Sequence, residues 1–228
     1  MIYTDELQFE HDLVEVLQNK GWKEVLKNPT EKDLIENWKN ILLENNTSID
    51  RLNGYALTDF EMQQILEQIT KLRTPLKLNG FINGITVSIV RDNPNDSLHF
   101  GKEISLKIYD RNEISGGGSR YQIAEQPIFK THGILNNRRG DLLLLINGMP
   151  VIHIELKRSN VDVSQAAYQI EKYAHEGVFT GIYSLIQIFV AMQPQETIYF
   201  ANPGPDAKFN NKFYFHFSNN SALIFQNF

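Results

Sequence analysis

Hydrophobic positions along this chain alternate between two spacings, and the changes predict its elements. From residue 5 to 20, DELQFEHDLVEVLQNK, Phe9, Leu13, Val16 and Leu17 fall at helical spacing, and Gly21 supplies the stop. A second amphipathic helix is expected over 31–45, capped by Thr30 and broken at Asn45-Asn46-Thr47. A third is expected over 58–72, where Thr58 and Glu61 form a capping box and Pro75 ends the run. The pattern then shifts to strands. Ile82, Ile85, Val87 and Ile89 suggest one strand and Ile104 to Tyr109 another, with a loop at 92–96 and a glycine-rich turn at 115–119. Tyr121 to Lys130 reads as a strand broken near Pro127, and 131–140 leads into a hairpin.

That hairpin, GDLLLLINGMPVIHIELKR at 140–158, is the centre of the pattern. Two apolar runs flank Asn147-Gly148, a dipeptide that tolerates the positive φ angles of a tight hairpin turn. The first run opens with Asp141 and the second closes with Glu155-Leu156-Lys157. Alternation along a strand puts His153, Glu155 and Lys157 on one face, and folding the hairpin brings Asp141 opposite or diagonal to Glu155. A helix over 163–176 follows and stops at Gly177. Leu185 to Met192 reads as a fully buried strand, and Thr197–Ala201 and 213–217 as two more. The expected fold is therefore α/β: a mixed sheet flanked by helices, with an N-terminal helical segment and inserted strands at 76–130.

Composition narrows the function. The chain has 228 residues, 42% hydrophobic and 21% charged, which fits a globular chain with a sizeable core. With no cysteine, disulfides, thiolate metal sites and a cysteine nucleophile are excluded, and a cytoplasmic setting is expected. No run approaches the roughly 18 apolar residues needed to span a bilayer, and the acidic start is unlike a signal peptide, so no membrane partner is expected. A net charge of −5 argues against coating nucleic acid through bulk charge. A local track remains available from Arg138, Arg139, Lys157, Arg158 and Lys172.

The paired carboxylates Asp141 and Glu155 are hard oxygen donors suited to Mg²⁺, with Mn²⁺ as a substitute, and Lys157 can orient water or phosphate. The D…ExK arrangement resembles the catalytic core of PD-(D/E)xK nucleases, with Gly140 where that family usually has proline. Gln169-x-x-x-Tyr173 on the following helix resembles the QxxxY motif of RecB-like nucleases. With Asn147-Gly148-Met149-Pro150, Tyr121–Gln126 and Tyr199–Asn202, the combination resembles the N-terminal nuclease domain of type I restriction enzyme R subunits. The resemblance covers about residues 1–220 and implies a restriction-endonuclease-like core at about 120–202, within one nuclease domain over 1–228.

It further implies Mg²⁺-dependent cleavage of double-stranded DNA. Asp141, Glu155 and Lys157 would be catalytic, and Asp141 and Glu155 would bind metal, aided by Glu10. Gln169, Tyr173, Arg138, Arg139, Arg158 and Lys172 would support the site or touch DNA. The partners would be modification and specificity subunits. No G-x-x-x-x-G-K-[ST] element occurs, so the motor of a full R subunit, and any ATP requirement, would lie outside this chain.

Alternatives stay open at several positions. Glu10 either points at the metal site or favours its helix N-terminus. Arg138 and Arg139 either touch phosphate or form a solvated turn. His153 reads as a plain strand residue, and Tyr168 and His216 read as packing. The competing functions are a non-catalytic docking domain of nuclease fold and a stand-alone resolvase or repair nuclease.

Overall fold

A computed structural model describes residues 2–72, 77, 80, 86–108, 118–130, 137–205 and 208–218. The three N-terminal helices form where capping and apolar spacing place them. Helix α1 (Glu6–Asn19) starts at Asp5, whose side chain accepts from the Leu7 N–H. Helices α2 (Glu31–Asn45) and α3 (Asp59–Thr70) both open with reciprocal capping boxes, Thr30 with Asp33 and Thr58 with Glu61. Pro75, Ile82, Ile85, Tyr109 and 115–117 of the glycine-rich turn lie outside the described residues.

Eleven strands are described: β1 (Glu24–Lys27), β2 (Thr86–Val90), β3 (Glu103–Lys107), β4 (Tyr121–Glu125), β5 (Ile128–Phe129), β6 (Arg138–Arg139), β7 (Leu142–Ile146), β8 (Met149–Leu156), β9 (Ile188–Gln193), β10 (Glu196–Ala201) and β11 (Phe215–Ser218). Seven make one mixed sheet in the order β1-β4-β7-β8-β9-β10-β11. β1 runs parallel to β4 and β8 parallel to β9, while the other neighbours are antiparallel. Hairpins β2–β3 and β5–β6 stand apart from it. Helix α4 (Ser164–His175) fills the β8-to-β9 crossover, as parallel neighbours require.

The run Leu142–Ile146 is apolar throughout because both of its faces are covered. Leu142 and Leu144 join a cluster with Phe9, Leu13, Val14 and Leu17 of α1. Leu143 and Leu145 join the larger cluster built from α2, α3, α4 and the β2–β3 hairpin. The central hairpin turns through Asn147 (φ 49°) and Gly148 (φ 81°), the type I′ signature. A Cβ on Gly148 would lie 2.9 Å from Trp38 Cα, so glycine also lets the turn press against α2. Register shifts between Leu144 and Leu145, and this bulge absorbs Pro150, which cannot donate to the ladder.

Three expectations need correction. The apolar run after α4 is not a buried strand from Leu185. Gly181–Leu185 is a three-ten helix, and β9 starts at Ile188, which is exposed. Strand β11 is an exposed edge, so His216 does not serve packing; it faces Glu196 at 3.5 Å. Tyr168 lies on the outer face of α4 and is 65% exposed, so it is not a core aromatic.

The insertion is anchored by a residue whose role was not anticipated. Arg91, fully buried, donates to Glu61 Oε2 at 2.6 Å and Asp96 Oδ2 at 3.0 Å. It also donates to the Ala56 and Tyr55 carbonyls. Glu61 meanwhile accepts from the Thr58 and Asp92 N–H groups, so one carboxylate caps α3 and ties it to the β2–β3 hairpin.

Candidate active site

Strand pairing delivers the carboxylates. Leu142 pairs with Ile154, so one step further Asp141 meets Glu155 at the end of β7 and β8. Asp141 Oδ2 accepts from the Leu156 N–H at 2.6 Å. Glu155 is fully buried. The two carboxyls are close enough to hydrogen-bond, and burial followed by mutual repulsion pushes Asp141 up to about 8. Burial likewise pushes Glu155 up to about 8, against the opposing pull of Asp141 and Lys157. The site thus resists carrying two negative charges without a cation.

Helix α4 closes the site through one amide. Gln169 Nε2 donates to Glu155 Oε2 at 2.9 Å and to Tyr173 Oη at 2.8 Å. Its Oε1 accepts from Lys157 Nζ at 3.0 Å. Tyr173 in turn donates to the Arg139 carbonyl at 3.1 Å. A primary amide has two donors and a carbonyl acceptor, so Gln169 can hold the glutamate and the lysine together as neither could hold itself. Tyr173 fixes that amide to the backbone just ahead of Asp141. Burial pushes its phenol up to about 12, which keeps the hydroxyl protonated and donating. Beyond β8, the Lys157 N–H bonds the Met192 carbonyl at 2.8 Å, and the Lys157 ammonium also bonds the Leu156 carbonyl at 3.0 Å.

Glu10 lies on the buried stripe of α1, beside Phe9, Leu13, Val14 and Leu17. A residue serving only the helix dipole would face water. Burial first, then repulsion from Asp141, pushes Glu10 up to about 7. Gln126, in the left-handed region at φ 52°, donates to Glu10 Oε2 across 3.5 Å, while Glu10 Oε1 has no hydrogen-bond partner among the described residues. Sequence reasoning passed over Gln126. It also passed over Glu6, which sits 3.9 Å from Lys157 Nζ and adds to the repulsion felt by Glu155. The first-turn position of Glu6 and its separation of one helical turn from Glu10 were the available signals.

The basic track is only partly realised. Arg138 forms a bidentate pair with Glu176 at 2.7 and 2.8 Å. Arg139 is exposed, and its charge is felt at Glu10. Arg158 and Lys172 are exposed, Arg158 just past β8 and Lys172 on α4 beside Arg138, Gln165, Tyr168, Gln169 and Tyr173 around a shallow groove.

Gly140, which stands where the resembled family usually has proline, is closely enclosed. A Cβ there would lie 2.7 Å from Phe129 Cε2 and 2.9 Å from His153 Cε1. His153 is fully buried, and burial pushes its imidazole down to about 4.

Among the described residues, no three His, Cys, Asp or Glu side chains are grouped so as to hold a metal. The donor chemistry of Asp141 and Glu155 nonetheless fits a hard divalent cation. Both are oxygen donors whose charges are mutually destabilising, and Glu155 Oε1 and Glu10 Oε1 are buried without a hydrogen-bond partner among the described residues.

Comparison with known proteins identifies relatives of this chain. The family described as type I restriction enzyme R protein N terminus matches residues 3–208. The chain is 30% identical over 227 residues to the type I restriction enzyme SsaAORF53P endonuclease subunit of Staphylococcus saprophyticus, covering 98% of this chain and 22% of that protein. It is 28% identical over 224 residues to the SauCOLORF180P endonuclease subunit of Staphylococcus aureus, with the same coverage. It is 27% identical over 207 residues to the EcoprrI endonuclease subunit of Escherichia coli, covering 88% of this chain and 59% of that one. The chain thus spans about a fifth of the length of the staphylococcal relatives.

Proposed function

The chain belongs to the family of type I restriction enzyme R protein N termini, and from that premise we propose that it is the Mg²⁺-dependent endonuclease domain of a type I restriction enzyme, hydrolysing DNA phosphodiester bonds. The observation that carries this reading is the joining of Glu155, Lys157 and Tyr173 through Gln169, with Asp141 at the same strand end. We take residues 1–228 as one nuclease domain with its core at about 120–202. Double-stranded DNA is the substrate, modification and specificity subunits are the partners, and the setting is cytoplasmic. ATP hydrolysis would belong to motor domains outside this chain.

In this reading Asp141 and Glu155 hold Mg²⁺, or Mn²⁺ in its place, with Glu10 assisting through water. Bound there, the ion would acidify water and offset the charge that builds on the phosphate. Lys157 orients the attacking water or the scissile phosphate with its ammonium. Gln169 keeps Lys157 and Glu155 in fixed relation, and Tyr173 keeps Gln169 in place. Such positioning is where an active site gains rate without new chemistry. Arg139, Arg158 and Lys172, with Arg138 once released from Glu176, supply phosphate contacts. A cation requires both carboxyls ionised, so binding it at neutral pH releases a proton.

The test is cleavage of supercoiled plasmid by the purified chain with Mg²⁺ or Mn²⁺, beside Asp141→Ala and Lys157→Ala, and the same variants within an assembled restriction complex. Metal-dependent cutting by wild type, lost in both variants while each stays folded, is the expected outcome. Cleavage retained by purified Asp141→Ala protein would sink the assignment.

A further inference from the structure

We propose that His153 is a positioning residue for Glu155: its imidazole donates from Nε2 to Glu155 Oε1 and fixes that carboxylate from inside the sheet. The inference rests on the reading of Asp141 and Glu155 as the metal-holding pair, and it supplies the group that orients the buried half of that pair.

Each Glu155 oxygen has a different neighbour. Oε2 is held by Gln169. Oε1 faces His153 Nε2 at 3.2 Å, both side chains are fully buried, and neither atom has another hydrogen-bond partner among the described residues. The pair is not aligned as a finished hydrogen bond. Leaving two buried polar atoms unmet is costly, and a small turn of ring or carboxyl removes that cost for both. His153 and Glu155 are two residues apart on β8, so the strand itself presents them on one face.

The surroundings hold the ring in place. Phe129, Phe179 and Phe189 surround the imidazole with ring centroids at 5.7, 5.4 and 6.2 Å. Gly140 leaves open the space that any Cβ would take from His153 Cε1. A phenylalanine or leucine would fill such a box with no polar atom to desolvate. An imidazole there incurs that desolvation, and the contact its nitrogen makes with Glu155 is what offsets it. Metal-binding side chains are commonly oriented by just such an outer hydrogen bond. The Leu142 carbonyl also lies against the same ring, and an imidazole protonated only on Nδ1 would leave Nε2 bare toward Glu155.

Two measurements decide between them. Nitrogen NMR of the imidazole at pH 9, with and without Mg²⁺, reads the tautomer directly. A neutral ring protonated at Nε2 is expected, and a ring protonated at Nδ1 overturns the proposal. Calorimetric titration with Mn²⁺ then compares wild type with Asp141→Asn, His153→Phe and His153→Gln. Binding should vanish in Asp141→Asn. It should weaken about 10-fold or more in His153→Phe, which keeps the aromatic packing and the melting temperature, and return in part in His153→Gln, which restores a donor. Wild-type affinity in folded His153→Phe overturns the positioning role while loss in Asp141→Asn leaves the metal site standing. Wild-type affinity in Asp141→Asn overturns the metal site itself, and the imidazole tautomer then judges the His153–Glu155 contact by itself.

Discussion

Replacing Asp141 by asparagine should make the metal-free protein more stable at alkaline pH, even as it destroys the site. The sign follows from proton linkage. In the folded chain Asp141 and Glu155 titrate near 8, whereas ordinary values are 3.8 and 4.5. Between those limits the native state holds a proton that the unfolded chain has lost. Stability must therefore fall as pH rises through that window, by about 1.4 kcal/mol per unit per proton retained. Four units would give roughly 5 to 6 kcal/mol for an isolated group. Asp141 keeps some solvent contact and its proton is coupled to that of Glu155, so the working figure is on the order of 3 to 5 kcal/mol. For a chain of this length that corresponds to a shift on the order of 10 °C in melting temperature.

The substituted amide would retain an oxygen for the Leu156 N–H and would present an N–H donor toward Glu155, removing one buried charge and most of the repulsion. The assay is thermal unfolding followed by circular dichroism from pH 5 to pH 9 in EDTA, wild type beside Asp141→Asn. The wild-type curve should drop more steeply, and the two should separate most at pH 9. Saturating Mg²⁺ should raise the wild type alone. Parallel curves, or a wild type more stable than the variant at pH 9 without metal, would refute the assignment of Asp141 and Glu155 as a strained carboxylate pair.

The remaining predictions concern other contacts. Gln169→Leu removes the bond that joins Glu155 to Lys157, so cleavage should fall roughly 10- to 100-fold with little change in DNA affinity; equal rates in a plasmid assay would show the amide is dispensable. Tyr173→Phe, which loses the anchor to the Arg139 carbonyl and the bond accepted from Gln169, should give a smaller loss in the same assay. Arg91→Met strands the buried Glu61 and Asp96 carboxylates and should cost about 3–5 kcal/mol in urea unfolding; a loss below about 1 kcal/mol would mean that water replaces the guanidinium at little cost. Gly140→Ala drives a methyl group into Phe129 and His153 and should destabilise by about 1–3 kcal/mol in the same measurement.

Most of the fold was legible because its local signals agreed with its tertiary ones. Thr30 and Thr58 began helices because a hydroxyl can take an otherwise unmet N–H, whatever packs nearby. Asn147-Gly148 set the hairpin because both residues accept positive φ, and the bulge between Leu144 and Leu145 then shifts the register by one residue so that Asp141 meets Glu155. Legibility failed where burial depends on distant partners. The spacing of Phe9, Leu13 and Leu17 marked the buried face of α1, but Val14 rather than Val16 completes it, because the sheet approaches from that side. His216 was read as packing, yet among the described residues its strand ends the sheet and is exposed. Tyr168 looked like core because helix aromatics usually are, and only the path of α4 shows that its side is open.

The candidate site divides along the same line. Glu155 and Lys157 could be read together from strand periodicity and Asp141 only as opposite or diagonal to them, because the bulge at Leu144/Leu145 decides its partner, and Gln169 and Tyr173 could be read from their spacing on one helix. What could not be read is that Gln169 bonds both Glu155 and Lys157, since this requires the crossover helix to pack at one height on β8. Gly140 and His153 show the limit most sharply. Read singly, one is a permissive backbone position and the other a stray polar residue in an apolar strand. In space they compete for the same volume, because the ring of His153 lies where a Cβ on residue 140 would stand. A side chain at 140 would displace the ring, and displacing the ring would take from Glu155 Oε1 the imidazole nitrogen that faces it at 3.2 Å. The glycine before the aspartate is thus tied to the orientation of the glutamate on the neighbouring strand, a dependence that enters through excluded volume and so leaves no mark on periodicity, charge or motif.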